Sequence, residues 1–94
     1  MGRRRFDHLF AELSVAAGRR LPRYELWLTL HGAGVDPERL TGPDLVGLCE
    51  KVLPAFLGSR GLVLSPRRSR ALRRELGRYD PALPTPYERF AALG

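Results

Sequence analysis

The sequence predicts a small all-α domain, and three features of the chain support this prediction. Apolar residues recur at intervals of three and four in several segments, which is the spacing of one face of a helix. Glycine and proline residues separate these segments after short distances, which argues against a long parallel bundle. Residues 62–64 are too few to form a sheet, and no second strand candidate exists. We therefore expect about five short helices and a single-turn helix in a compact orthogonal array, as one domain over residues 1–94.

Composition places the chain among globular proteins. Its 94 residues are 44% hydrophobic and 28% charged, which fits one folded domain and not a disordered segment. No apolar run approaches the roughly 18 residues that a membrane span needs. The basic start lacks the apolar core of a signal peptide, so we expect a cytoplasmic protein without membrane contact. The single cysteine, Cys49, excludes an intramolecular disulfide and is expected to be a buried, inert thiol.

The widest apolar face lies in residues 41–57, which we expect to form the central helix of the core. Thr41 precedes Asp44 by three residues, as in a capping box. Pro54 lacks an N–H group and its ring clashes with the carbonyl of Glu50, so it predicts a kink or a break. A break would leave residues 54–57 as a separate short turn. The apolar residues of this segment are Leu45, Leu48, Cys49, Val52, Leu53, Phe56 and Leu57.

The helices before the central one follow from their apolar stripes and stop signals. The first is expected over residues 4–17, with residues 1–5 as a frayed basic end. The second opens at Pro22 and ends at the glycines that follow His31. It is apolar around much of its circumference, so we expect it to be sandwiched between neighbours, with Trp27 as a core anchor. An aspartate–proline pair at residues 36–37 predicts a single-turn helix.

The second half of the chain contains two more predicted helices. Residues 62–64 are expected to be an extended segment that plugs the core. A serine–proline pair then begins a helix over residues 66–79. Residues 80–85 form a stiff proline-containing linker. A capping box that begins at Thr85 predicts a last helix over residues 86–93.

The helix over residues 66–79 carries the candidate functional residues. At about 100° per residue, Leu72 and Leu76 share one face, while four arginines fall within roughly 60° of each other on a different face. We call these four the arginine stripe: Arg67, Arg70, Arg74 and Arg78. The stripe is about 16 Å long from the helical rise. With a flanking arginine, the predicted nucleic-acid-binding residues are Arg67, Arg68, Arg70, Arg74 and Arg78.

The charge of the chain is concentrated near this helix. The net charge is +6, and residues 59–94 hold eight basic and three acidic residues. Like charges three and four residues apart destabilise a helix by a few tenths of a kcal/mol each, unless acids or an anionic partner compensate them. Nucleic acid is the preferred partner and an acidic protein surface is the second. The alternative is a solvated face in an arginine-biased proteome, since the chain has 15 arginines and only one lysine, Lys51.

The sequence does not predict an enzyme. His8 and His31 are isolated, and Cys49 has no partner cysteine, so no catalytic, cofactor or metal site is expected. Helix capping accounts for the carboxylates at the helix starts, namely Asp36, Glu38 and Asp44. The central helix followed by the arginine helix has the order of a helix–turn–helix, but residues 58–65 form a joint of about eight residues where a tight turn uses three or four.

Two functions remain open from the sequence. The preferred one is a non-enzymatic binding module that engages an anionic partner, most of all nucleic acid, through the arginine stripe and without sequence specificity. The alternative is a protein–protein interaction module or a small homo-oligomeric regulatory subunit. That alternative would use an apolar patch around Tyr24 and Trp27 or the last helix.

Overall fold

The computed structural model of the protein describes residues 2–79, with side chains from Arg5 onward. No strand occurs in this part of the chain, so the all-α prediction is confirmed. The predicted linker (80–85) and last helix (86–93) lie outside the described residues. The elements are α1 (Gly2–Ala17), α2 (Arg23–Gly32), a 3-10 helix (Pro37–Arg39), α3 (Gly42–Gly47), a π-helical turn (Leu48–Val52), α4 (Leu53–Gly58) and α5 (Pro66–Gly77).

The core is built almost entirely from leucine and phenylalanine. Fully burying one such side chain contributes about 1.5–3 kcal/mol relative to leaving it exposed. Leu9, Leu13, Leu26 and Leu30 have no exposed surface at all. The complete set of buried hydrophobic residues is Phe6, Leu9, Phe10, Leu13, Leu21, Leu26, Leu30, Leu40, Leu45, Leu48, Leu53, Phe56, Leu57, Leu72 and Leu76.

Helix α1 packs antiparallel against α5. The ring Nε2 of His8 lies 3.0 Å from the Glu75 carbonyl oxygen. One turn earlier, the guanidinium carbon of Arg5 lies 4.7 Å from the centre of the Tyr79 ring. The helix begins at Gly2, two residues before the predicted start at residue 4. The contact between Arg5 and the aromatic ring beyond α5 joins the start of α1 to the end of α5, since a cation above a ring face is attracted to it.

Helix α2 is buried along one edge only. Leu26 and Leu30 point into the core, but Tyr24 is 65% exposed and Leu28 is 47% exposed. The prediction that α2 is sandwiched is therefore wrong: the short 3-10 helix packs beside it, and its outward residues stay exposed. Trp27, the expected core anchor, packs against the core cluster and is half-buried.

The three segments α3, the π-helical turn and α4 form one uninterrupted helical run, which we call the central helix. Its start has the predicted capping box: the Asp44 N–H donates to Thr41 Oγ1 (3.2 Å) and the Thr41 N–H donates to Asp44 Oδ2 (3.1 Å). In the π-helical turn the Leu53 N–H donates to the Leu48 carbonyl, five residues back. Pro54 is the second residue after this turn and is exposed.

The central helix accommodates Pro54 by widening, without breaking. Val52 and Leu53 both keep right-handed helical dihedral angles. A proline cannot bond to the carbonyl four residues back and collides with it in a regular α-helix, and a wide π turn relieves this conflict. The expectation of a separate turn over residues 54–57 is therefore wrong, because the helix continues to Gly58.

The connector between α4 and α5 plugs the core with alternate residues. Leu62 and Leu64 pack against the core cluster, whereas Val63 between them is 90% exposed. Helix α5 then begins as predicted, with the Ser65 hydroxyl accepting the Arg68 N–H at 3.2 Å. It ends at Gly77, two residues before the predicted end.

Candidate nucleic-acid interface

Helix α5 separates its apolar and basic side chains on two faces, as the sequence spacing indicates. Leu72 and Leu76 are 6% and 4% exposed and face the core, and Tyr79 beyond them is half-buried. The arginines predicted to bind nucleic acid all lie on the exposed part of the helix: Arg67, Arg68, Arg70, Arg74 and Arg78. The amphipathic arrangement of α5 therefore positions the whole arginine stripe towards solvent.

Three arginines of the stripe have no counter-charge within residues 5–79. Arg78 pairs with Glu75 in an exposed contact, with 3.2 Å between Nη1 and Oε1. Arg67, Arg70 and Arg74 form neither an ion pair nor a side-chain hydrogen bond with any described residue. Among the described residues, no acidic side chain pairs with the charges of Arg67, Arg70 and Arg74.

Arg68 joins the start of α5 to the end of α1. Its Nη1 donates a hydrogen bond to the Ala16 carbonyl oxygen (3.3 Å), which is one of the last carbonyls of α1. The same Nη1 atom lies 4.0 Å from the position that a Cβ atom would take at Gly18. Arg68 therefore has a structural contact in addition to its exposed charge, since cations stabilise the carbonyl end of a helix.

The contact of Arg68 brings two further arginines to the same end of the molecule. Arg19 and Arg20 follow Gly18 directly in the loop after α1, and both are exposed. The sequence shows that two arginines occur there, but not that this loop lies beside the beginning of α5. We define the basic surface as the arginine stripe together with Arg19, Arg20 and Arg68.

An apolar groove lies on the opposite side of α5, between this helix and the central helix. One part of it is a cavity of about 140 Å³ lined mainly by leucines, including Leu53 and Leu72. Cys49 and Arg73 also line it. Cys49 is half-buried, which is less than the full burial that the sequence suggested. Burial raises the pKa of the Cys49 thiol, and the charge of Arg73 opposes this effect, so the thiol is a poor nucleophile at neutral pH.

The two histidines have structural contacts that differ from each other. His8 faces the Glu75 carbonyl between α1 and α5, and His31 stacks on the Trp27 ring with 5.2 Å between ring centres. Within residues 5–79, no group of three or more histidine, cysteine or acidic side chains is arranged to hold a metal ion. Among the described helices, none has the length and hydropathy that crossing a lipid bilayer requires.

The geometry of α4 and α5 does not match a helix–turn–helix. Residues 59–65 separate the two helices, and the segment includes the extended connector, where a tight turn would be expected. The basic surface is consequently a convex face of one helix with an adjoining loop. Comparison of the chain with protein-family models, with curated proteins and with solved structures finds no match.

Proposed function

We propose that the chain is a non-enzymatic module that binds nucleic acid through the basic surface. The observation that carries this proposal is the exposure of Arg67, Arg70 and Arg74 without an acidic partner among the described residues. Neighbouring like charges on a helix cost folding free energy, and a row of phosphates would offset that cost. The guanidinium group suits this role because it presents several N–H donors that match phosphate oxygens. The free cysteine agrees with the cytoplasm as the compartment of the module.

The preferred ligand is the backbone of a duplex. Proteins that bind single strands commonly stack bases on aromatic side chains, and the sequence of α5 contains no aromatic residue. Tyr24, the exposed aromatic residue of α2, belongs to a helix that makes no extensive contact with α5. Phosphate contacts fix position but carry little sequence information, so we expect binding with weak sequence preference.

Salt dependence gives the proposal a quantitative form. If the four arginines of the stripe each neutralise one phosphate of B-DNA, the slope of log K against log salt is about −3.6. This slope corresponds to a loss of affinity of about 150-fold between 50 mM and 200 mM salt. An interface dominated by apolar contacts would show little change over the same range.

The test is a fluorescence anisotropy titration of a labelled 20-base-pair DNA duplex at several salt concentrations. The double variant Arg70→Gln/Arg74→Gln should weaken binding and reduce the steepness of the slope by about one unit per lost phosphate contact. A matched control, Arg39→Gln/Lys51→Gln, removes two exposed cations from other elements. Equal effects of the two double variants, or no effect of the first, would mean that the stripe is an ordinary solvated face.

A second candidate function is a protein-interaction module. It is supported by the outward side of α2, which leaves Tyr24 65% exposed and Leu28 47% exposed. Exposed aromatic residues of this kind are enriched at protein interfaces. We define the α2 outer face as Tyr24, Trp27, Leu28 and His31. A partner at this face, or a second copy of the chain, would bind with little salt dependence, which separates this function from the first.

A further inference from the structure

A groove with aromatic and apolar walls runs between α2 and the 3-10 helix. It consists of two adjoining cavities of about 390 Å³ and 470 Å³. Trp27 and Glu38 line both cavities, so they lie where the two meet. Tyr24 and Pro37 line the first cavity, and Val35 lines the second. The groove is thus a continuation of the α2 outer face towards the next element of the chain.

The ring at the centre of the groove is held in place before any ligand arrives. The Trp27 and His31 rings are stacked, with 9° between their planes and 5.2 Å between their centres. Pro37 is fully buried beneath the groove and provides a fixed floor. The indole N–H of Trp27 has no acceptor among the described residues. A rigid aromatic wall with one free donor reduces the entropic cost of binding a chain that offers carbonyl oxygens.

The rim of the groove is acidic, although the chain as a whole carries a net charge of +6. Asp36 and Glu38 are both exposed, and neither forms an ion pair with a residue in the described part of the chain. The Asp36 side chain accepts the Glu38 N–H at 2.9 Å, which fixes its position at the start of the 3-10 helix. On the opposite wall, the charge of Arg23 is balanced by its ion pair with Asp7. Asp36 and Glu38 are therefore the acidic lining residues without an ion pair to a described residue, and they suit a cationic group of a ligand.

We propose that this groove binds an extended, proline-containing segment of a partner protein that carries arginine or lysine. Proline-rich segments dock in grooves lined by aromatic side chains, because their extended conformation is already formed and loses little entropy. The free indole N–H would donate to a backbone carbonyl of the segment, and Asp36 and Glu38 would select the basic residue. The proposal rests on the protein-interaction function given above for the α2 outer face and is independent of nucleic-acid binding.

The chain contains a natural reporter for this site, because Trp27 is its only tryptophan. Fluorescence of Trp27 is titrated with a synthetic peptide of eight prolines followed by two arginines, and with the same peptide ending in two glutamates. We expect a saturable change with the arginine peptide and affinity at least about fivefold weaker for the glutamate peptide, which is the factor for 1 kcal/mol. Absence of a saturable change, or equal affinity for the two peptides, would overturn the proposal.

Variants locate the binding and identify its charge. Glu38→Gln should lower the affinity for the arginine peptide about two- to fivefold, as expected for an exposed charge pair. The affinity for the glutamate peptide should not fall. Glu50→Gln removes an exposed acid from the central helix and should behave as wild type. Tyr24→Ala, at a residue that is 65% exposed, should preserve folding and weaken both peptides. Equal responses of Glu38→Gln and Glu50→Gln to the arginine peptide would count against the acidic rim as the selecting feature and overturn the proposal.

The remaining outcomes distinguish this proposal from the function on which it rests. Sedimentation equilibrium of the protein alone measures self-association. A dimer that is lost in Tyr24→Ala would assign the groove to a second copy of the chain, which overturns the peptide proposal but keeps the interaction function. If neither peptide changes the fluorescence of Trp27 and sedimentation shows no self-association, the interaction function fails as well. Duplex DNA binding should be the same in wild type and Glu38→Gln in every case.

Discussion

Arg68 donates a hydrogen bond from Nη1 to the backbone carbonyl of Ala16, across 52 positions of the sequence and a distance of 3.3 Å. The carbonyl belongs to the last turn of α1, where backbone acceptors lack partners within the helix. A cation at this place satisfies an acceptor and also interacts favourably with the helix dipole. One arginine of the candidate interface therefore contributes to the fold, whereas its neighbour Arg67 makes no such contact with the described residues.

The first prediction follows from this difference. Arg68→Ala should lower the free energy of unfolding by about 0.5 kcal/mol relative to Arg67→Ala, because it removes an exposed hydrogen bond and a dipole interaction. Both variants replace an exposed arginine near the start of α5, so helix propensity changes nearly equally. Urea denaturation measures both. Identical midpoints would mean that the contact contributes nothing to stability.

The second prediction concerns the arginines without counter-charges. Arg70→Gln/Arg74→Gln should leave the free energy of unfolding within about 0.5 kcal/mol of wild type, since exposed charges contribute little to stability. Thermal or urea denaturation checks this outcome. A loss of several kcal/mol would instead identify these arginines as structural residues with paired charges, contrary to their exposure.

The third prediction separates the two faces of the central helix. Leu53 is 2% exposed, so Leu53→Ala should cost about 2–5 kcal/mol through lost burial and a residual cavity. Val46 is 63% exposed on the same helix, and Val46→Ala should change stability by less than about 0.5 kcal/mol. Denaturant titrations of the two variants give the comparison. A similar cost at both positions would contradict the position of the core.

The fourth prediction tests the π-helical turn before Pro54. Pro54→Ala should leave the denaturation midpoint unchanged or lower the free energy of unfolding by up to about 1 kcal/mol, because the wide turn already fits proline and alanine adds freedom to the unfolded chain. In a regular helix the same change should remove a penalty of about 3 kcal/mol. A large stabilisation by Pro54→Ala would therefore mean that the π turn does not relieve the conflict.

The fifth prediction concerns the reactivity of Cys49. Burial raises its thiol pKa and the Arg73 charge lowers it, so removing the charge in Arg73→Gln should raise the pKa further. The thiolate fraction at pH 7.5 then falls, and alkylation by iodoacetamide should be slower than in wild type. Arg74→Gln on the same helix, which is not among the groups that shift this thiol, serves as the control. Faster alkylation of Arg73→Gln would show that access to the thiol, and not its charge environment, sets the rate.

The helix starts were predictable because their signals are local. Thr41 with Asp44 and Ser65 ahead of Pro66 each form the expected caps within four residues of sequence. Exposure of the arginine stripe was predictable for a similar reason: Leu72 and Leu76 fix the buried face of α5, and helical geometry then places the arginines elsewhere.

Features that depend on distant contacts could not be predicted in this way. The apolar residues around α2 indicate that the helix could be buried on several sides, but they do not reveal that, of its residues, Leu26 and Leu30 are the buried ones. The approach of Arg68 to Ala16 and Gly18 requires the antiparallel packing of α1 on α5, which no short window of the sequence contains. Pro54 indicates that the helix is disturbed, but several backbone conformations can relieve the same steric clash.

The packing of α1 on α5 has a consequence for the order in which the protein acquires its structure. During synthesis α1 leaves the ribosome before the other described helices, and α5, which covers one of its sides, is made about fifty residues later. Until then part of the surface around Leu9 and Leu13 has no permanent cover, and nascent chains with uncovered apolar surface are prone to aggregate. Closing so long a loop is also a slow step, because contacts distant in sequence form only after much chain entropy has been lost. We therefore expect the chain to depend most on chaperones while translation has not yet passed Ser65.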